Sequence, residues 1–135
     1  MWVFTNKGFF SIVEDRDNAN NHLVRARMKG DLERLFAPYF AFPKLKVEET
    51  PDADYRFRVS LHKSVVTNAI GVAVDEIDYN NFKNSYRDNE SIPNPQRSLV
   101  HYHMHDVWTA MWTAQKDAKT FEEVADEADP VKTHG

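Results

Sequence analysis

Two short stretches constrain the fold of this 135-residue chain more than any others. In Leu23-Val24-Arg25-Ala26-Arg27-Met28 and in Tyr55-Arg56-Phe57-Arg58-Val59-Ser60-Leu61, basic and apolar residues alternate with a period of two. That period belongs to strands with one face on an apolar core, because successive side chains leave the pleat on opposite sides. Val24, Ala26, Met28, Phe57, Val59 and Leu61 then build an inner face. Arg25, Arg27, Arg56 and Arg58 share the outer one, and Tyr55 is read with Phe57 as pointing inward.

The neighbouring segments supply the rest of an α+β domain. Residues 2–13 are rich in β-formers and are broken by Asn6-Lys7-Gly8, as one bent strand or a small hairpin. A polar loop over 15–21 leads into the first arginine strand, and Gly30-Asp31 opens a helix over about 31–40 carrying Leu32, Leu35, Phe36 and Tyr39 at helical spacing. Pro43 closes the connection. Residues 44–49 alternate as a third strand, joined through Thr50-Pro51-Asp52-Ala53 to the second arginine strand. Ser64 is placed to cap a helix to about 77 with Val66, Ala69, Ile70, Ala73, Val74 and Ile77 on its apolar side. Residues 78–85 read as a polar connector and 87–97, with Pro93 and Pro95, as a loop. Ser98 is placed to cap a last helix to about 115 whose Val100, Met104, Val107, Trp108, Met111 and Trp112 face the core, with a homodimer contact as the alternative use of that helix. Thr120-Phe121-Glu122-Glu123 fits a capping box for one acidic turn, and 130–135 should fray. The order ββαββα plus one helix predicts a four-stranded antiparallel sheet with helices on one face, the arrangement of a circularly permuted ferredoxin-like fold. Residues 1–116 form one α+β domain and 117–135 an acidic, partly disordered tail.

Charge and cysteine content narrow the function classes. Seventeen basic and 21 acidic residues leave a net charge of −4, and 117–135 alone holds six acids against Lys119 and Lys132. The body is therefore neutral, which removes a globally basic nucleic-acid binder and leaves room for a locally basic face. With no Cys there is no disulfide framework, no thiolate nucleophile and no cysteine-built zinc site. A reducing compartment fits, and cytoplasm is the expected location. No basic region precedes an apolar stretch at the N-terminus and no apolar run nears 18 residues, which argues against secretion and membrane spanning.

Trp2-Val3-Phe4-Thr5 with Gly8-Phe9-Phe10-Ser11, Leu23-Val24-Arg25-Ala26-Arg27 with Asp31-Leu32-Glu33-Arg34-Leu35, Asp54-Tyr55-Arg56-Phe57-Arg58, Asn81-Phe82-Lys83-Asn84 and His105-Asp106-Val107-Trp108 are fairly specific as a set. Together they resemble a widespread family of small bacterial hypothetical proteins over most of residues 1–116. The resemblance implies a shared fold and brings no activity or site residues with it. His101, His103 and the acidic tail lie outside its pattern, so a function resting on them would be peculiar to this member.

Three constellations are candidates for function. Arg25, Arg27, Arg56 and Arg58 on one sheet face suit phosphate or carboxylate, hence an anion, a nucleic-acid backbone or an acidic protein partner. The plainer reading is a solvated face whose arginines pair with Glu48 or Glu14, and inward-pointing aromatics would weaken single-strand recognition. His101 and His105 stand four apart on the last helix, the spacing of two metal ligands, with Asp106 or His62 as a third. No Glu follows His101 as a metalloprotease would need, so these histidines are expected to be structural, with no metal or cofactor. His105 and Asp106, with Asp75, Glu76 and Asp78, would serve a small enzyme only if they converged in a pocket. The expected function is a non-catalytic binding or regulatory module acting through the arginine face. Nucleic-acid binding, inhibition of a host system by a phage or mobile-element protein, and catalysis near His101, His105 and Asp106 are the alternatives.

Overall fold

The computed structural model describes residues 1–40 and 45–128 and divides the chain into two compact units, Met1–Arg97 and Ser98–Gly135. The first unit holds β1 (Trp2–Thr5), β2 (Gly8–Glu14), β3 (Asn21–Ala26), α1 (Asp31–Phe36), β4 (Glu48–Glu49), β5 (Phe57–His62), α2 (Lys63–Asp75), α3 (Phe82–Arg87) and the opening of α4 (Asn94–Ala128). The sheet is antiparallel throughout, in the order β1-β2-β3-β5-β4. The chain is thus α+β as expected, with five strands in place of four, because residues 2–13 fold as a hairpin with Thr5 opposite Gly8. Without β1, the order is consistent with a ferredoxin-like arrangement in which the two arginine strands are central neighbours. No helix among the described residues is long and apolar enough to cross a membrane.

The alternation holds where the ladder holds. Val24 pairs with Val59 and Ala26 with Phe57 on the inner face, while Arg25 pairs with Arg58 on the outer. Phe10, Ile12, Val24, Ala26, Phe57 and Val59 meet Leu32, Leu35 and Phe36 of α1 and Val66 and Ala69 of α2, so both helices cover one side of the sheet. Burial of such side chains contributes about 1.5–3 kcal/mol each for the larger ones.

Several element boundaries differ from the sequence reading. α1 stops at Phe36, not near 40, because Pro38 has no N–H to continue the ladder; Tyr39 and Phe40 turn back to the Phe36 carbonyl at 2.9 and 3.2 Å. The third strand shrinks to Glu48–Glu49, while Leu45 and Val47 pack on the core without pairing. Lys44 and Pro43 lie outside the described residues. α2 is capped by the His62 ring, whose Nδ1 accepts from Ser64 N at 3.1 Å, and the helix ends at Asp75 with Val74 and Ile77 exposed rather than packed. The connector contains α3, capped by the Asn81 side chain, and its Tyr86 is fully buried. α4 begins four residues before Ser98, with Pro95 in the first turn where a missing N–H costs nothing.

α4 then runs 35 residues, because no Gly or Pro interrupts 98–128. Thr120 does not start a new turn; its hydroxyl donates to the Lys116 carbonyl one turn back at 3.2 Å. The acids from Asp117 to Glu127 therefore lie on a helix, and the fraying expected for 130–135 falls outside the described residues. Val107, Trp108, Met111 and Trp112 are exposed and do not belong to the core.

A buried carboxyl group fixes the β1–β2 hairpin to the helices. Asp31, 2% exposed, is ion-paired with Arg34 and accepts from the Phe9 backbone N–H. Arg34 Nε donates to Lys7 O at 3.1 Å, Asn89 donates to Asn6 O at 2.7 Å, Asn6 donates to Ser85 Oγ at 3.0 Å, and Lys7 pairs with Glu76 at 3.1 Å. Gly8, at φ 153°, lies so close that a Cβ there would collide with the Asp31 carboxyl group. Gly8→Ala should therefore destabilise the first unit by at least about 2 kcal/mol in urea unfolding. Burial pushes the Asp31 carboxyl up to about 6, against the opposing pull of Arg34. The folded state thus binds this proton more tightly than the unfolded one. The contribution of Asp31 is fully present below the unfolded value of 3.8 and is lost as pH rises through about 6. Between those limits wild type should lose about 3 kcal/mol relative to Asp31→Asn, measured as the difference between their urea unfolding free energies across the pH range.

Candidate anion-binding face

The outer face of the sheet gathers three of the four arginines. Arg25 and Arg58 stand directly opposite each other on β3 and β5, and Arg27 follows two residues along. Tyr55 lies among them and not, as its sequence position suggests, on the inner face. The Arg25 guanidinium carbon stands 4.6 Å and that of Arg27 4.0 Å from the Tyr55 ring centroid, and Arg58 Nη2 donates to Tyr55 O at 3.3 Å. The ring is only 4% exposed yet lies outside the main apolar core. It escapes the alternation because the ladder begins at Phe57: Tyr55 N bonds the Asp54 side chain, and Thr50 N bonds Arg56 O at 2.8 Å, so the backbone is turning there.

The same turn removes Arg56 from the face. Its guanidinium pairs with Glu49 at 2.7 Å and lies 5.0 Å from the Phe57 ring centroid, and Glu49 is the cross-strand partner of Phe57. The expected set of four is therefore three, Arg25, Arg27 and Arg58, around one tyrosine.

These three are not the neutralised arginines of an ordinary solvated face. Among the described residues no carboxylate lies within ion-pair distance of any of them, although Glu48 is the register partner of Arg58, while Glu14 is that of His22. Arg25 Nη2 donates to Ser11 Oγ at 2.8 Å, but the Nε atoms of Arg25 and Arg58 are buried without a protein partner. Like charges held opposite each other across a ladder repel, and buried donors without acceptors add to that cost.

Beside the arginines lies an aromatic platform. Phe9 of β2 stacks on Phe4 of β1 with centroids 4.3 Å apart and planes at 10°, Trp2 meets Phe9 edge-on at 5.7 Å, and Phe82 of α3 abuts Phe4 at 6.5 Å. Arg27 reaches over Phe9 at 5.5 Å and joins the two groups. Trp2 is 70% exposed. The signal for this platform was present in the sequence: Phe10 and Ile12 must face the core, which turns Phe9 outward, and a hairpin at Asn6-Lys7 sets Trp2 and Phe4 alongside it.

The other candidate residues are spread along their elements. His103 pairs with Asp106 at 3.3 Å, so Asp106 is engaged by His103 and not by His105, whose ring stacks on Trp108 at 6.0 Å. His101 is partly exposed on α4, and His62 serves as the α2 cap. Among the described residues no three His, Asp or Glu side chains cluster as a metal site. Glu76 is held by Lys7, while Asp75 and Asp78 are exposed.

Comparison of the chain with protein-family models, curated proteins and solved structures finds no match.

If the Arg25–Arg58 opposition is a strain borne by the free protein, Arg58→Met should raise stability at low ionic strength by about 0.5–1 kcal/mol, and the gain should shrink in high salt. Urea unfolding at two salt concentrations measures both effects.

Proposed function

We propose that the chain is a non-catalytic binding module whose outer sheet face takes a single-stranded nucleic acid. The observation that carries this reading is the juxtaposition of three guanidinium groups, lacking carboxylate partners among the described residues, with exposed aromatic rings on the same face. Phosphates would meet the guanidinium groups of the half-buried Arg25 and Arg58 and the exposed Arg27 from the solvent side, relieving their mutual repulsion. Bases would stack on Trp2 and the free part of Phe4, which carry no sequence preference of their own. Of the two aromatics whose expected inward direction spoke against this reading, Phe57 does face the core, but Tyr55 turns outward as a platform for the arginines, with Trp2, Phe4 and Phe9 as its extension. The neutral balance of the body is compatible with it, because affinity for a short single strand depends on local phosphate contacts.

An acidic protein segment would satisfy the arginines equally but would leave the aromatic platform unused. Titration of a labelled single-stranded oligonucleotide separates the two. Nucleic-acid binding should weaken with salt at a logarithmic slope of about −2, as three phosphate contacts on a single strand require. Arg27→Ala and Arg58→Ala should each lower affinity about tenfold and flatten the slope, whereas Trp2→Ala should lower affinity by a similar factor with the slope unchanged. Binding indifferent to Trp2→Ala, together with equal affinity for an acidic peptide, would move the assignment to a protein partner. Salt-independent binding would remove both.

A further inference from the structure

The outer face of the sheet has a direction. Across the strands, one row of register partners runs Trp2, Ser11, Arg25, Arg58 and Glu48, and the next sets Phe4 and Phe9 beside Arg27. Both rows pass from aromatic rings on β1 and β2 to guanidinium groups on the β3 side. A nucleotide laid along a row thus sets its base toward the rings and its phosphate on the arginines, with the backbone following β3. Along that line the two ends differ. Arg27 stands exposed at one end, while past Arg25 and Arg58 the following row is Val13, Leu23 and Ser60, which holds no cation. Ser60 in turn donates to the carboxylate of Asp15. The arginine lane therefore stops at its most cationic row.

We infer, resting on the nucleic-acid reading of this face, that its ligand is the end of a single strand carrying a terminal phosphate, seated with that phosphate on Arg25 and Arg58 and the adjoining diester on Arg27. Charge selects an end over an interior segment. Arg25 and Arg58, directly opposite each other, put two positive charges in one row, and Arg27 puts one in the next. A diester carries a single negative charge, whereas a terminal phosphate carries about 1.5 to 2 at neutral pH. A phosphorylated end thus repeats the uneven distribution of the lane. An interior segment offers one charge per row and leaves the opposed pair half neutralised. Closure of the lane selects the same ligand: a strand continuing past Arg25 finds only Val13, Leu23 and a hydroxyl, and then the Asp15 carboxylate, which repels it. Glu48 borders Arg58 on β4, exposed and without an ion pair among the described residues. Its charge acts through water, so it lowers the positive potential of the row without cancelling it, and it keeps a phosphate from sliding toward β4. Trp2 shares the row of the opposed arginines, where the terminal base, with a neighbour on one side only, is free to stack on it.

One internally labelled oligonucleotide, prepared with a 5′-phosphate, with a 3′-phosphate, with neither, and as a covalently closed circle, tests the assignment by titration with the full chain. One of the two phosphorylated forms should bind about tenfold more tightly than the unphosphorylated one, and the circle more weakly than that form. Arg58→Met, expected to be at least as stable as wild type, should reduce the advantage of the terminal phosphate to about twofold or less, whereas Arg27→Ala should weaken every form and leave the advantage in place. A circle that binds as tightly as both phosphorylated forms would overturn the inference and leave nucleic-acid binding standing. A nucleoside monophosphate that binds as tightly as the phosphorylated strand would replace the strand end by a free mononucleotide. Failure of every form to bind would remove the underlying reading together with the inference.

Discussion

The first unit depends on a carboxyl group that water cannot reach. Asp31 lies where a helix start meets a hairpin turn, and it satisfies a strand N–H and a guanidinium at once. An unpaired buried acid would be costly, so Arg34 must follow one turn later, and through Lys7 O the same guanidinium holds the loop that Asp31 braces from below. The space for that carboxyl exists because position 8 has no side chain. Three residues far apart in purpose, a glycine at a turn, an acid at a helix start and an arginine on its flank, are thereby one device. It fixes the hairpin, and the hairpin fixes the aromatic platform next to the arginines.

What could be read from the sequence follows the reach of each signal. The pairing of the arginine strands was legible because side-chain alternation is a local consequence of the pleat, and six consecutive register pairs of β3 and β5 obey it. It failed two residues outside the ladder, where nothing compels Tyr55 and Arg56 to alternate. The role of Asp31 was hidden for a different reason: an acid in the first turn of a helix ordinarily answers the helix dipole at the surface, and only the tertiary fold buries it. His62 displaced Ser64 as a cap because a ring nitrogen can accept as a hydroxyl does, a substitution that preference rules rank low. The length of α4 was written in the lack of Gly and Pro, yet the density of acids after Asp117 resembles a solvated tail. Helix propensity, high for Ala, Lys and Glu, decided the matter instead.

The candidate face was half legible. Its arginines announced themselves, but the lack of carboxylate partners among the described residues and the support on Tyr55 are tertiary facts. On the proposed reading, charge repulsion within such a face would favour an anion, since a ligand that neutralised Arg25 and Arg58 would relieve it. The guanidinium planes laid over Tyr55 are also ordered in advance, so a ligand need not immobilise them.

The two borders of the sheet are unequal and both are short. β1 contributes four residues and β4 only two, each of the latter a glutamate. An exposed strand of ordinary length is a template on which another chain can add its own backbone, and runaway addition of that kind ends in fibrils. Here one border is too brief to align a visiting strand and consists of two charged residues, Glu48 and the Arg56-paired Glu49, while the other is anchored beneath its turn. Both borders of the described sheet thus discourage growth by backbone pairing.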